Sequence, residues 1–138
     1  MKHIFVDTSG WAAIADGRDS HHEVASLFSE EIAGQCRLVV SDYVLDELYT
    51  LLLLNLGYPD TVAFKRRLDT LMNAGILDVV WVSPVIAVEV WTAFEQFNTD
   101  KQWSFTDCTS YVIMKQRNIA EAFAFDHHFV QMGFTCRP

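Results

Sequence analysis

The chain has 138 residues, 51% of them hydrophobic, and carries 18 acidic against 10 basic side chains for a formal charge of −8. Such a composition excludes a disordered chain and gives length enough for one domain with a real core. A protein that grips nucleic acid mainly through phosphates is usually basic, so any nucleic acid here must be held locally or through a metal that offsets the acidic charge.

The longest leucine run, Leu51 to Leu54, is far too short to span a bilayer. The start of the chain reads as a strand and lacks the apolar segment and cleavage site of a signal peptide. Cys36, Cys108 and Cys136 are odd in number and widely spaced. They suit a reducing cytoplasm and form neither a disulfide framework nor a zinc motif. With no repeat, low-complexity stretch or linker, residues 1–138 are expected to form a single domain.

Ile4, Phe5 and Val6 form a short apolar run that breaks into Asp7, Thr8, Ser9 and Gly10. The run predicts a strand buried on both faces, as in the centre of a parallel sheet, followed by a helix over Trp11 to Ala15. Asp7 then stands at the carboxyl end of a central strand, where open α/β sheets keep their chemistry. The same residue could equally be a helix cap. Asp16 to Asp19 reads as a turn. Ser20 with Glu23 three residues later has capping-box spacing, opening a helix that runs through Phe28 and Ile32 to Gly34. Arg37 to Val40 is a second strand.

Ser41 starts the next helix, expected over Asp42 to Leu56 and stopped near Gly57. Its apolar residues run nearly all the way round at Leu51 to Leu54, which suits a buried helix or an oligomer interface. Glu47 has Tyr43, Val44, Thr50 and Leu51 as its neighbours three and four residues away. A carboxylate on so apolar a stripe is costly unless paired, protonated or bound to a cation, whereas Asp46 shares its side with Asp42 and reaches solvent.

Pro59 and Asp60 open an amphipathic helix ending at Gly75, with Lys65, Arg66 and Arg67 as a solvated face or a phosphate contact. Ile76 to Val82 is the third strand. Ser83 followed by Pro84 starts a helix bearing Trp91, Phe94 and Phe97. Ser104 and Asp107 form the S-x-x-D capping pattern ahead of a helix over Tyr111 to Lys115. Ala122 to Phe125 is a fourth strand ending in Asp126, and Phe134 with Thr135 a short edge strand. His127 and His128, beside a turn, read as packing residues, and Arg18, Lys101, Lys115 and Arg117 as surface charges.

Two strands ending in Asp7 and Asp126 place both acids at one edge of a parallel sheet. A helix starting near Asp107 can aim its first turn there, and Glu47 can enter from the side. Clustered carboxylates away from water repel by several kcal/mol at low effective dielectric. Protonation relieves this, and so does a hard divalent cation such as Mg²⁺ or Mn²⁺, which prefers oxygen ligands. Metal-assisted phosphodiester hydrolysis is the chemistry that such a site would support.

Phe5-Val6-Asp7-Thr8-Ser9, Asp46-Glu47-Leu48, Trp103-Ser104-Phe105-Thr106-Asp107-Cys108 and Phe125-Asp126-His127-His128-Phe129 occur in this order over nearly the whole chain. In these four stretches the chain resembles the PIN-domain ribonucleases, most closely the VapC-type toxins of bacterial and archaeal toxin–antitoxin pairs. The resemblance implies a PIN-like three-layer α/β/α fold with a short, mostly parallel sheet of four or five strands. It implies a Mg²⁺-dependent endoribonuclease, with Mn²⁺ as a substitute, whose acidic quartet is Asp7, Glu47, Asp107 and Asp126. Asp7 and Asp107 would lie nearest the metal, with Thr8, Ser9, Ser104 and Thr106 orienting carboxylates and waters. The implied partners are RNA, a small antitoxin and a second copy of the chain. Two competing readings stay open from the residues: a non-catalytic binding module of the same fold, and a phosphatase with Asp7 as nucleophile, which would want an acid where Ser9 stands.

Overall fold

The apolar run at residues 4–6 becomes β1 (Lys2–Val6) in a computed structural model that describes all 138 residues. Ile4, Phe5 and Val6 are all fully buried. Successive strand residues face opposite sides, so both faces of β1 are covered. After it come α1 (Thr8–Ala15), α2 (His22–Ile32), β2 (Cys36–Ser41), α3 (Asp42–Leu56), α4 (Tyr58–Asn73) and β3 (Leu77–Val80). The remainder is α5 (Pro84–Phe97), α6 (Phe105–Gln116), β4 (Glu121–Phe123), α7 (His128–Gln131) and β5 (Thr135–Arg137).

The five strands form one sheet in the order β3-β2-β1-β4-β5, and every pairing is parallel. Helices flank it in three α/β/α layers, as the family resemblance implies, although the sheet is wholly rather than mostly parallel. The register Phe5↔Val39 on one side and Phe5↔Ala122 on the other makes β1 the centre. Strand order reverses there: the chain first builds outward through β2 and β3, then returns to add β4 and β5. The crevice at the carboxyl ends of β1 and β4 is therefore a topological switch point, which no neighbouring crossover fills.

Several local expectations shift. The Ser20–Glu23 capping box does not form. Helix α2 starts at His22 behind His21 without a side-chain cap, because Asp16 and Asp19 shape the preceding turn by accepting the Arg18 and His21 backbone N–H groups at 2.9 and 2.8 Å. Strand β3 is shorter than residues 76–82, since the Val82 N–H leaves the sheet to reach Asp42 Oδ1 at 3.0 Å. Strand β4 stops at Phe123, two residues before the expected end, because the Phe125 N–H turns to the Ser9 hydroxyl. The edge strand is Thr135–Arg137, and α7, four residues long, has no counterpart in the sequence reading. No helix is long and apolar enough to cross a membrane.

Candidate active site

Asp7 follows the last residue of β1. Its N–H donates to Phe123 O at 3.1 Å, the final rung toward β4, and its extended backbone (φ −78°, ψ 164°) makes it the N-cap of α1. Its Oδ2 accepts from the Ser9 N–H at 3.3 Å and from the Ser9 hydroxyl at 2.8 Å. Cap and buried acid are one residue here. Gly10 lets α1 lie against the strands, for a Cβ there would stand 2.5 Å from Phe123 O. The carboxyl is 5% exposed, and burial, offset partly by the two Ser9 hydrogen bonds and reinforced by the charge of Asp107, raises its pKa to about 6.

Asp107 lies in the first turn of α6. The predicted capping box is present: Ser104 Oγ accepts from the Asp107 N–H at 2.9 Å, and Asp107 Oδ2 accepts from the Ser104 N–H at 3.0 Å. The loop before it is pinned by Asn98, whose Oδ1 accepts from the Trp103 N–H at 2.8 Å while its Nδ2 donates to Trp103 O at 2.9 Å. The buried Trp103 indole N–H then donates to Gln131 Oε1 at 2.9 Å, tying this loop to α7. Next to Asp107, the thiol of Cys108 is pushed up to about 11 by burial and by that carboxylate, so it stays protonated and unreactive.

Asp126 stands in the turn between β4 and α7, three residues beyond the strand rather than at its end. Its Oδ1 accepts from the His128 N–H at 3.0 Å. Phe129, fully buried against Phe5, anchors α7 in the core and so fixes the ring of His128. The His128 Nδ1 stands 3.0 Å from Asp107 Oδ2 and 3.1 Å from Asp126 Oδ1. Neither contact has hydrogen-bond geometry, so the ring stands close beside both carboxylates without a directed bond to either. His128 is thus more than packing; it joins two predicted site acids. His127 is 78% exposed on its side chain, with Nδ1 3.8 Å from Asp126.

Glu47 departs from its expected surroundings. It is exposed, because the buried stripe of α3 is Val44, Leu45, Leu48 and Leu52, and Glu47 lies about 115° round from the centre of that stripe. Asp46 is exposed as well. Neither makes an ion pair or a side-chain hydrogen bond. Asp107 thus acts on the charge of Asp7, the His128 ring lies beside both Asp107 and Asp126, and Glu47 stands free on the helix flank.

Of the predicted hydroxyls, Ser9 has the largest part. It donates to Asp7 and accepts from the Phe125 N–H at 3.0 Å, joining the ends of β1 and β4. Ser104 caps α6, the Thr106 carbonyl accepts from Thr109 and Ser110, and the buried Thr8 hydroxyl has no partner. Several basic residues are engaged elsewhere: Arg18 with Asn55 O and Asp16, Lys65 with Asp69, Lys101 with Asp100, Arg117 with Asp78, Arg67 over the Phe64 ring, and Lys115 over the rings of Tyr111 and Phe134. Sequence reasoning missed the bridging place of His128 and the Trp103–Gln131 tie. The spacing of His128 two residues after Asp126 was the only local signal for the first, and nothing local announces the second.

The donor set fits a hard divalent cation. Its predicted members are carboxylates, oxygen donors of the kind such an ion prefers, and burial alone makes an ionised Asp7 costly unless a positive charge offsets it.

Against known proteins, the family model described as PIN domain matches residues 4–135. The chain is 32% identical over 134 residues to the 23S rRNA-specific endonuclease VapC20 of Mycobacterium tuberculosis, covering 96% of this chain and 95% of that one. The crystal structure of M. tuberculosis VapC20, described as a sarcin–ricin loop cleaving toxin, superposes with a TM-score of 0.80 at 28% identity over 96% of each chain. VapBC2 from Rickettsia felis, bound to a DNA fragment from its promoter, superposes with a TM-score of 0.66 at 14% identity, covering 98% of this chain and 97% of that one, a likeness of fold. With the sheet order, the acids at its switch point and a match over nearly the whole length, the chain belongs to the PIN-domain family of nucleases.

Proposed function

We propose that the chain is a Mg²⁺-dependent endoribonuclease, with Mn²⁺ able to substitute, acting as the toxin of a VapBC-type module. The observation that carries this is the buried Asp7 at the sheet's switch point, with Asp107 acting on its charge and Asp126 joined to Asp107 through His128. PIN-domain nucleases depend on a divalent metal, and Mg²⁺ is the choice that an oxygen donor set favours.

Asp7 and Asp107 would hold the ion, and Glu47 and Asp126 would reach it through water or complete a second position. When bound, the cation supplies the positive charge that an attacking water and a departing phosphodiester oxygen both require. Ser9 fixes the rotamer of Asp7 in advance. Thr8, Ser104 and Thr106 complete the polar surroundings that orient carboxylates and waters. His128 keeps Asp107 and Asp126 together before substrate arrives. Glu47, exposed on the flank of α3, would accept a proton from a water that enters from solvent.

RNA is the substrate class. The 32%-identical relative is named for 23S rRNA, which makes large-subunit ribosomal RNA the first substrate to try. A small antitoxin and a second copy of the chain are the proposed protein partners. The exposed apolar residues Leu53, Leu54, Val85, Val88 and Trp91 supply surface for them. Residues 1–138 would act as one PIN-like domain in the cytoplasm, in keeping with three free cysteines.

The test is incubation with 23S rRNA, total RNA and transfer RNA in Mg²⁺, in Mn²⁺ and in chelator, beside Asp7→Asn. Cleavage that requires both metal and Asp7 supports the nuclease. Phosphate release from a small monoester would instead favour a phosphatase, and RNA binding without cleavage a binding module.

A further inference from the structure

The ring of His21 lies flat on the ring of Phe125, with centroids 4.3 Å apart and planes 4° from parallel. Phe125 directly precedes Asp126, and its N–H donates to the Ser9 hydroxyl that in turn holds Asp7. Two hydrogen bonds therefore tie the stack to Asp7. Beneath it, Phe125 meets Phe123 edge-on at 6.3 Å, and Phe123 meets Phe28 edge-on at 4.8 Å, which roots the stack in the core.

His21 itself is exposed. Its backbone N–H is spent on Asp19 Oδ1 at 2.8 Å, holding the turn in place, but the imidazole makes no hydrogen bond or ion pair. His22 beside it does the opposite, placing Nδ1 2.7 Å from Ala13 O. The His21 ring thus has one face on Phe125 and the rest toward solvent, at the edge of the sheet where the carboxylates stand. Covering an apolar ring requires no particular tilt. A near-parallel pair on a rooted base is the geometry onto which a further flat ring can stack.

Bases splayed from single-stranded RNA are characteristically held by stacking on Phe, Tyr, Trp or His. We propose that His21, supported by Phe125, is a stacking platform for a nucleobase adjacent to the scissile phosphate, and so positions the RNA strand over Asp7, Asp107 and Asp126. This rests on the ribonuclease reading and adds a positioning residue to it. It also gives an acidic protein a way to hold RNA that needs no basic groove, because stacking engages the face of a base rather than the phosphate charge.

The experiment measures binding apart from cleavage. Asp7→Asn protein, which leaves RNA whole, is titrated with fluorescein-labelled single-stranded RNA of roughly 12 nucleotides, drawn from 23S rRNA and carrying one abasic site at each position in turn. In that background His21→Ala is expected to weaken binding of the intact oligomer about 5- to 100-fold, the usual range for losing one stacked base. His21→Phe is expected to restore binding to within about twofold, since Phe stacks as well. One abasic position should weaken binding when His21 is present and cost nothing further in His21→Ala, as two halves of one contact must. Unchanged binding in His21→Ala overturns the platform, and so does equal weakening in His21→Phe, or an abasic penalty that persists in His21→Ala. If His21→Ala binds like its parent while the unsubstituted chain still cuts RNA, only the platform fails. If no RNA is bound or cut, the nuclease reading fails and takes the platform with it.

Discussion

His128 Nδ1 lies 3.0 Å from Asp107 Oδ2, joining a histidine near the end of the chain to an acid in the first turn of α6. The same nitrogen is 3.1 Å from Asp126 Oδ1, so one ring spans two acids. Residues that hold acids in this way commonly change metal affinity or activity 10- to 100-fold when removed. His128→Ala is therefore expected to lower cleavage by about that factor and to raise the Mg²⁺ concentration needed for half-maximal rate. A circular dichroism spectrum like that of the unsubstituted chain would show that the loss is local.

Asp7→Asn separates catalysis from stability. Cleavage should fall on the order of 100-fold or more, because the buried anion is gone. In chelator at pH 7.5 the variant should nonetheless melt higher than the parent, since it no longer has to ionise a carboxyl held at about pKa 6. A variant that cuts RNA normally would remove Asp7 from the chemistry.

The same shift fixes a pH dependence. Asp7 has its folded pKa raised from 3.8 to about 6. Between those values the folded state holds a proton that the unfolded chain has lost. Its contribution, about 3 kcal/mol when fully expressed, is therefore present below pH 4 and disappears as pH rises through 6. Metal binding runs the other way, because a cation displaces that proton. Affinity for Mg²⁺ should fall up to tenfold per pH unit below about 6 and level off above it, as followed by calorimetry.

Glu47 and Asp46 are adjacent exposed acids on α3, and the family resemblance selects only the first. Glu47→Gln is expected to reduce cleavage at least tenfold, within the range usual for a group handling a proton. Asp46→Asn should stay within about twofold of the parent. Equal effects in a cleavage assay would undo the assignment.

Gly10→Ala tests how α1 is seated. The added Cβ meets Phe123 O at 2.5 Å and Phe123 Cδ1 at 3.0 Å, so the helix must shift. A loss of about 1–3 kcal/mol in a denaturant titration is expected, as for other overpacked sites. Activity should drop with it, because the same helix carries Ser9.

The sequence by itself determined that a buried strand ends in Asp7, that Ser41, Ser83 and Ser104 cap helices, and that acids recur at strand and helix ends. Each of these is local: a hydrophobic run, a hydroxyl at an N-cap, or a carboxylate three residues on. Local pattern misjudged the burial of Glu47, since three- and four-residue neighbours say which residues are adjacent but not which side of the helix meets the core. Only the tertiary structure decided that Ser9 bonds Phe125 across 116 residues, that β4 ends early because of it, and that His128 faces Asp107. Those contacts depend on the switch in strand order, which brings the ends of β1 and β4 together. A parallel sheet joins segments distant in the chain, and no periodicity within either segment records the meeting.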